Sequence, residues 1–197
     1  MSIVREQKNE IRVKYKALRA SLDKEHKVVC DHKICKRFLS LASYRYSDIL
    51  LLYSPIKDEI DISEIALTAL RQGKKIAFPK CNTDTNTMTY HYISDLSELT
   101  PGAMNIPEPS SSAPIFELSD SEKKPTLCLV PALVFDTNGY RIGYGKGYYD
   151  RFLCDFKGTT VGLIYADFVL NSIPRGKYDL SVDVLVTEKG VKTTNAN

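Results

Sequence analysis

Asp48-Ile49-Leu50-Leu51-Leu52-Tyr53 is the stretch on which the fold turns. Apolar side chains stand at successive positions, so a strand here would be buried on both faces rather than on one. Thr126-Leu-Cys-Leu-Val130 has the same character and runs into Pro131. Lys75-Ile-Ala-Phe78 reads as a third strand, expected to stop at Pro79 because proline has no N–H for a ladder. Thr87 to Ile93 alternates as a strand, and Thr160 to Tyr165 and Val182 to Thr187 complete the set. The intervening chain has the helical period. Ile11, Tyr15, Leu18 and Leu22 repeat it, as do Cys30, Ile34, Phe38 and Leu41, which predicts helices over about 5–20 and 24–42. Asp61 and Glu64 read as an acidic cap for a helix whose apolar face is Ile62, Ile65, Ala66, Ala69 and Leu70, with Gly73 at its end. A last helix is expected to open near Lys146 to Tyr148 and run to about Phe156. Doubly apolar strands alternating with helices predict an α/β fold: a three-layer structure with a mostly parallel central sheet and helices on both faces.

The chain has 197 residues, a length suited to one domain, and residues 1–197 are read as one. Residues 101–125 hold five of the nine prolines and the run Ser110-Ser111-Ser112. This is read as an ordered connection within the domain rather than a boundary. Hydrophobic residues make up 43% and charged residues 26%, which excludes a disordered chain. No apolar run approaches the ~20 residues that span a bilayer, and the polar start MSIVREQKNEIR has no signal-like apolar core, so a cytoplasmic protein without membrane contact is expected. The five cysteines (Cys30, Cys35, Cys81, Cys128 and Cys154) are odd in number and form no CxxC. The three histidines do not pair with them at zinc spacing, so no structural zinc is expected. The formal charge is +3. The first fifty residues carry twelve Lys/Arg against six Asp/Glu, a basic helical region that suits either a solvated face or a polyphosphate partner.

Chemistry concentrates in Asp136-Thr-Asn-Gly-Tyr-Arg-Ile-Gly-Tyr-Gly-Lys-Gly-Tyr-Tyr-Asp-Arg151, which holds four of the ten glycines and four of the twelve tyrosines. Closely spaced glycines expose backbone N–H groups and permit positive φ, so the segment can curl around an anion. It follows a buried strand and leads into a helix start, where ligands of parallel sheets bind. Arg141 and Lys146 add fixed positive charge, and Asp150 can hold Mg2+. Neither the Walker loop nor the dinucleotide fingerprint fits, since Tyr140, Gly147 and Tyr148 stand where those motifs need other residues.

Gly139-Tyr-Arg-Ile-Gly-Tyr-Gly-Lys-Gly-Tyr-Tyr-Asp-Arg-Phe-Leu153 resembles the signature of the 5-formyltetrahydrofolate cyclo-ligase family, also called methenyltetrahydrofolate synthetases. Val130-Pro131-Ala132 (with Ala for the usual Gly), Phe135-Asp136, Lys8 to Arg12, Lys57 to Ile60, Asn105 to Pro109 and Val182 to Glu188 follow in the family's order, so the resemblance spans nearly the whole chain. It implies a ligase of one-carbon folate metabolism that uses ATP and Mg2+ to convert 5-formyltetrahydrofolate to 5,10-methenyltetrahydrofolate through a phosphorylated formyl group, releasing ADP and phosphate.

The resemblance also implies residue roles. Lys8, Asn9, Glu10, Ile11 and Arg12, with Arg141, Ile142, Gly143, Tyr144, Gly145, Lys146, Gly147, Tyr148 and Tyr149, would bind ATP. Lys146 and Arg141 would act in catalysis. Ser54, Glu59 and the stretch Tyr144 to Tyr148 would face the folate, and Asp150 and Asp183 would hold Mg2+. Lys14, Lys16 and Arg19 read as a solvated basic face. Tyr178-Asp179 stands where many relatives have His-Asp. Asp136 is read as ordering its turn, and Asn105 to Pro109 as either closing over the folate or bracing the long loop. The partners expected are small molecules, not nucleic acid, and the chain is expected to be a monomer. Two other readings compete: a related α/β fold acting on sugar phosphates or CoA esters, which would need an acid/base cluster beside the loop, and a basic, tyrosine-bearing RNA-binding module.

Overall fold

In the computed structural model, residues 3–56, 58–102 and 105–194 are described. Lys57, the first residue of one family-like run, lies outside them. The chain proceeds through α1 (Ile3–Ala20), α2 (Lys24–Ser40), α3 (Ala42–Tyr46), β1 (Ile49–Leu51), α4 (Ser63–Arg71), β2 (Lys75–Asn82) and β3 (Thr87–Ile93). Short strands β4 (Thr100–Pro101), β5 (Pro107–Glu108) and β6 (Ile115–Phe116) follow, then α5 (Asp120–Lys123), β7 (Thr126–Val130), β8 (Val134–Asp136), β9 (Arg141–Ile142), α6 (Tyr148–Leu153), β10 (Thr159–Leu163), β11 (Val169–Leu170), β12 (Val184–Val186) and β13 (Val191–Thr193).

The doubly apolar runs become the middle of an eight-stranded sheet ordered β13-β12-β10-β7-β1-β2-β3-β6. The five strands from β12 to β2 are parallel; β13, β3 and β6 add antiparallel edges. Leu50, Leu51, Leu127 and Leu129 are fully buried, each side chain contributing about 1.5–3 kcal/mol. The sheet is mostly parallel with helices on both faces, as expected. α2 and α4 pack on one another, against β12 and β2 respectively. On the other face Phe152 of α6 packs on Tyr90 of β3, ring centroids 4.8 Å apart. That second face is shared with a small sheet, β11-β8-β9. Gly162 of β10 lies beneath it: an added Cβ there would come within 2.5 Å of the Phe135 ring.

Three local expectations need correction. β2 does not stop at Pro79 but runs through it to Asn82. The strand pairs with β1 only as far as Ala77, so beyond that point one of its sides has no ladder, and a residue without N–H is tolerated there. α6 ends at Leu153, short of Phe156; the chain turns at 154–155 and lays Phe156 against Phe152 at 5.7 Å. The inward stripe of α1 is also shifted. Leu18 is 42% exposed, whereas Tyr15 and Arg19 are buried. Arg19 is therefore no solvated residue: its Nη2 donates to Ala132 O (2.6 Å), and its guanidinium lies over the Phe168 ring at 5.6 Å.

Candidate active site

Chain order reverses at β1, with β2 on one side and β7 on the other. In parallel sheets such a switch point opens a crevice beyond the carboxyl ends of the strands. A cleft of about 530 Å³ lies there. Tyr53, Ser54, Ile56 and Glu59 follow β1, Pro79 and Cys81 come from β2, and Pro131 follows β7. Lys8 and Arg12 of α1, the segment from Arg141 to Asp150, and Asp179 form the opposite wall.

The glycine segment reaches this wall through a hairpin. β8 and β9 pair Val134 with Ile142 and Phe135 with Arg141. The fully buried Asp136 ties their turn, accepting from Asn138 N (2.9 Å), Tyr140 N (3.1 Å) and Arg175 Nη2 (2.9 Å). The chain then loops over the cleft before entering α6. Gly145 (φ +96°) and Gly147 (φ +74°) take left-handed conformations that side chains with a Cβ resist. Arg12 supports this loop: its Nε donates to Gly143 O (3.0 Å), and its guanidinium carbon would lie 3.2 Å from a Cβ at Gly145. Burial lowers the Arg12 pKa, against the opposing pull of Asp179. Lys8, one turn earlier, forms an ion pair with Asp179.

Helical periodicity sorts the segment from Lys8 to Arg12. Only its two ends line the cleft. Asn9 and Glu10 are exposed, Asn9 Oδ1 accepting from Arg12 Nη1 (2.5 Å), and Ile11 packs against the core. Within the loop, Lys146 is exposed and its carbonyl accepts from Arg151 Nη1 (2.8 Å). Arg141 is buried and committed: Nη2 donates to Asp150 Oδ1 (2.6 Å) and Nη1 to Leu180 O (2.9 Å). Ile142 is core. Tyr149 turns down towards Tyr90, the hydroxyls 3.4 Å apart, and burial raises its pKa strongly. Tyr144 and Tyr148 line the cleft with it. Burial, then the charge of Glu59, pushes the Tyr144 phenol to about 12.

After β1, Glu59 is 6% exposed, and its Oε2 accepts from Ile56 N (3.0 Å). Burial raises its carboxyl pKa, while the Ile56 N–H and the Arg19 charge pull it back. Ser54 Oγ donates to Pro107 O, which anchors the proline-rich loop so that Ile106 and Glu108 line the cleft. Glu108 is held by Cys81 N (3.3 Å). The run from Asn105 to Pro109 thus both braces its loop and walls the cleft.

Asp183 is not brought to this cleft. Its Oδ2 accepts from Thr160 N (2.7 Å) and Thr160 Oγ1 (2.8 Å), which joins the starts of β10 and β12. The pairing of Asp150 with Asp183 in one metal site is therefore not what the geometry presents. Among the described residues no three His, Cys, Asp or Glu side chains gather into a metal-binding group. Asp150, part-exposed at the cleft, suits Mg2+ in the mode that uses one carboxylate together with phosphate oxygens. Asp179 and Arg19 were the residues that periodicity and motif left out. The helical spacing of Lys8, Arg12, Tyr15 and Arg19 was the signal that could have found Arg19.

Residues 4–188 match the model of the 5-formyltetrahydrofolate cyclo-ligase family. The chain belongs to that family. It is similar to the solved 5,10-methenyltetrahydrofolate synthetase of Aquifex aeolicus, with 34% identity and a TM-score of 0.83 over 96% of this chain and 94% of that one. The mouse 5-formyltetrahydrofolate cyclo-ligase is 25% identical, over 92% of this chain and 93% of its own length. An Arabidopsis thaliana relative called mitochondrial is 28% identical, over 94% of this chain and 75% of its length. The family is one of enzymes, and its fold is the mostly parallel α/β domain described above. Among the described residues no helix is long and apolar enough to cross a membrane.

Proposed function

We propose that this chain uses ATP and Mg2+ to convert 5-formyltetrahydrofolate into 5,10-methenyltetrahydrofolate, releasing ADP and phosphate. The observation that carries this reading is one cleft lined by two chemically different groups of residues. Lys8, Arg12, Lys146 and the glycine loop offer cations and backbone N–H groups to a triphosphate. Ser54 and the buried Glu59, with Ile56, Met88, Ile106 and Tyr148 nearby, offer hydrogen-bond acceptors and an apolar wall to a flat heterocycle. Family membership supplies the reaction that joins their ligands.

The formyl oxygen attacks the γ-phosphorus, an O–P bond forms, and the electron pair of the bond to the β-phosphate leaves with ADP. N10 then attacks the activated carbon, the C–O bond breaks, phosphate departs and N10 loses its proton. Such chemistry needs positioning and charge neutralisation more than a protein nucleophile. Lys146, exposed at the middle of the loop, follows the transferring phosphoryl group in this reading. Arg141 acts by fixing Asp150 and the backbone of Leu180. Asp150 would hold Mg2+, which when bound offsets the charge of the phosphate oxygens. Glu59 accepts hydrogen bonds from the pterin N–H groups. The five unpaired cysteines are in keeping with the cytoplasmic setting proposed here, and the cleft with small substrates; in this reading the chain is a monomer that binds no nucleic acid. Incubation of folded protein with ATP, Mg2+ and 5-formyltetrahydrofolate is expected to generate the near-ultraviolet absorbance of the methenyl product; no change in absorbance would exclude this function.

A further inference from the structure

Asp179 stands among the cations assigned to the triphosphate. It lines the same cleft as Lys8, Arg12 and Lys146. Its Oδ2 pairs with Lys8 Nζ across 171 residues of sequence, the two side chains being only 20% and 14% exposed. The same oxygen accepts from Gly176 N (2.6 Å), and Asp179 N donates back to Gly176 O (3.3 Å), so a closed turn presents the carboxylate. The next residue, Leu180, is anchored through its carbonyl to Arg141 (2.9 Å). The negative charge also reaches the Arg12 guanidinium.

We propose that Asp179 is the resident counter-anion of the nucleotide phosphate site: it neutralises Lys8, one turn from Arg12, in the free protein and must yield Lys8 to an incoming polyphosphate. This rests on the nucleotide reading above. The physical basis is linkage. An interaction made only in the free state lowers the apparent affinity of whatever displaces it. A carboxylate that stays nearby also opposes phosphate by like charge. A ligand with one phosphate gains too little to displace it, whereas a triphosphate has further contacts to Arg12, Lys146 and the loop amides. Asp179 thereby selects for polyphosphates over inorganic phosphate.

The test is calorimetric binding of ATP, inorganic tripolyphosphate and inorganic phosphate to the full chain and to Asp179→Asn. Asparagine keeps the size of the side chain and an oxygen for Gly176 N. Removal of the charge is expected to tighten ATP and tripolyphosphate by about threefold or more, and to narrow their advantage over inorganic phosphate. In a Lys8→Met background the same change is expected to give a smaller gain. Asp179→Ser, read the same way, covers the case in which the first variant folds poorly. A merely structural role would lower the melting temperature without tightening any anion. Equal or weaker binding by the charge-free variants would overturn the proposal and leave the nucleotide reading standing. If the unaltered chain binds neither ATP nor tripolyphosphate, both fall.

Discussion

Glu59 shows how position alone gives an ordinary side chain a task. In a loop sequence it is one carboxylate among many; at the floor of the cleft it is buried, with one oxygen held by Ile56 N. Burial raises its pKa, so the folded protein favours the protonated form. Stability contributed by this group is present at low pH and is lost as pH rises through the raised pKa, while its capacity to accept hydrogen bonds grows over the same window. The KM for 5-formyltetrahydrofolate is therefore expected to fall as pH climbs above the usual carboxylate range. Glu59→Gln is expected to flatten that profile and raise this KM about tenfold, with the KM for ATP unchanged; a wild-type profile in steady-state kinetics would remove Glu59 from the folate site. Lys146→Ala is expected to cut kcat by about a hundredfold or more with an unchanged circular dichroism spectrum; near-normal turnover would take Lys146 out of the chemistry. Lys8 and Arg12 could be paired from their spacing of four. Arg19 shares the helical spacing of Lys8, Arg12 and Tyr15, which sets it apart from Lys14 and Lys16, but its contacts with Ala132 and Phe168 are what show a buried cation.

The element that matters most is the loop from Gly143 to Gly147, and its shape depends on two positive φ angles and the arginine beneath it. Gly145→Ala forces a side chain into a left-handed conformation and presses on Arg12. It is expected to cost about 1 kcal/mol of stability and to raise the KM for ATP several-fold. Gly143→Ala is the control for backbone strain: nothing lies within 4 Å of its added Cβ and its φ is not positive, so its melting temperature is expected to stay near wild type. An equal loss of melting temperature at both positions would show that the positive φ at Gly145 is not what Ala disturbs. The loop was legible as a whole from its glycines, lysine and tyrosines. Which tyrosine serves it was not. Tyr144, Tyr148 and Tyr149 all line the cleft, but Tyr149 turns its hydroxyl towards Tyr90 beneath the start of α6.

For the molecule as a whole, α1 and the segment around Asp179 come from opposite ends of the chain and meet in one wall of the cleft. A ligand bound against them should resist unfolding of both. ATP at about one hundred times its Kd is expected to add about 2.7 kcal/mol, or roughly 5–10 °C in Tm for a chain of this size; a Tm that ATP leaves unmoved in scanning calorimetry would argue against this cleft as the nucleotide site. The sequence by itself determined the layered α/β class, since runs such as Ile49 to Leu52 and Leu127 to Val130 cannot be solvated on either face. It also determined where the chain curls into a loop of positive-φ glycines, because glycine spacing acts on the local backbone. Only the tertiary structure decided that β2 continues past Pro79, that Asp183 serves Thr160 rather than the cleft, and that Asp179 faces Lys8. Those outcomes depend on which strands run side by side and which loops meet at their ends, and local propensity carries no information about neighbours 23 to 171 residues away.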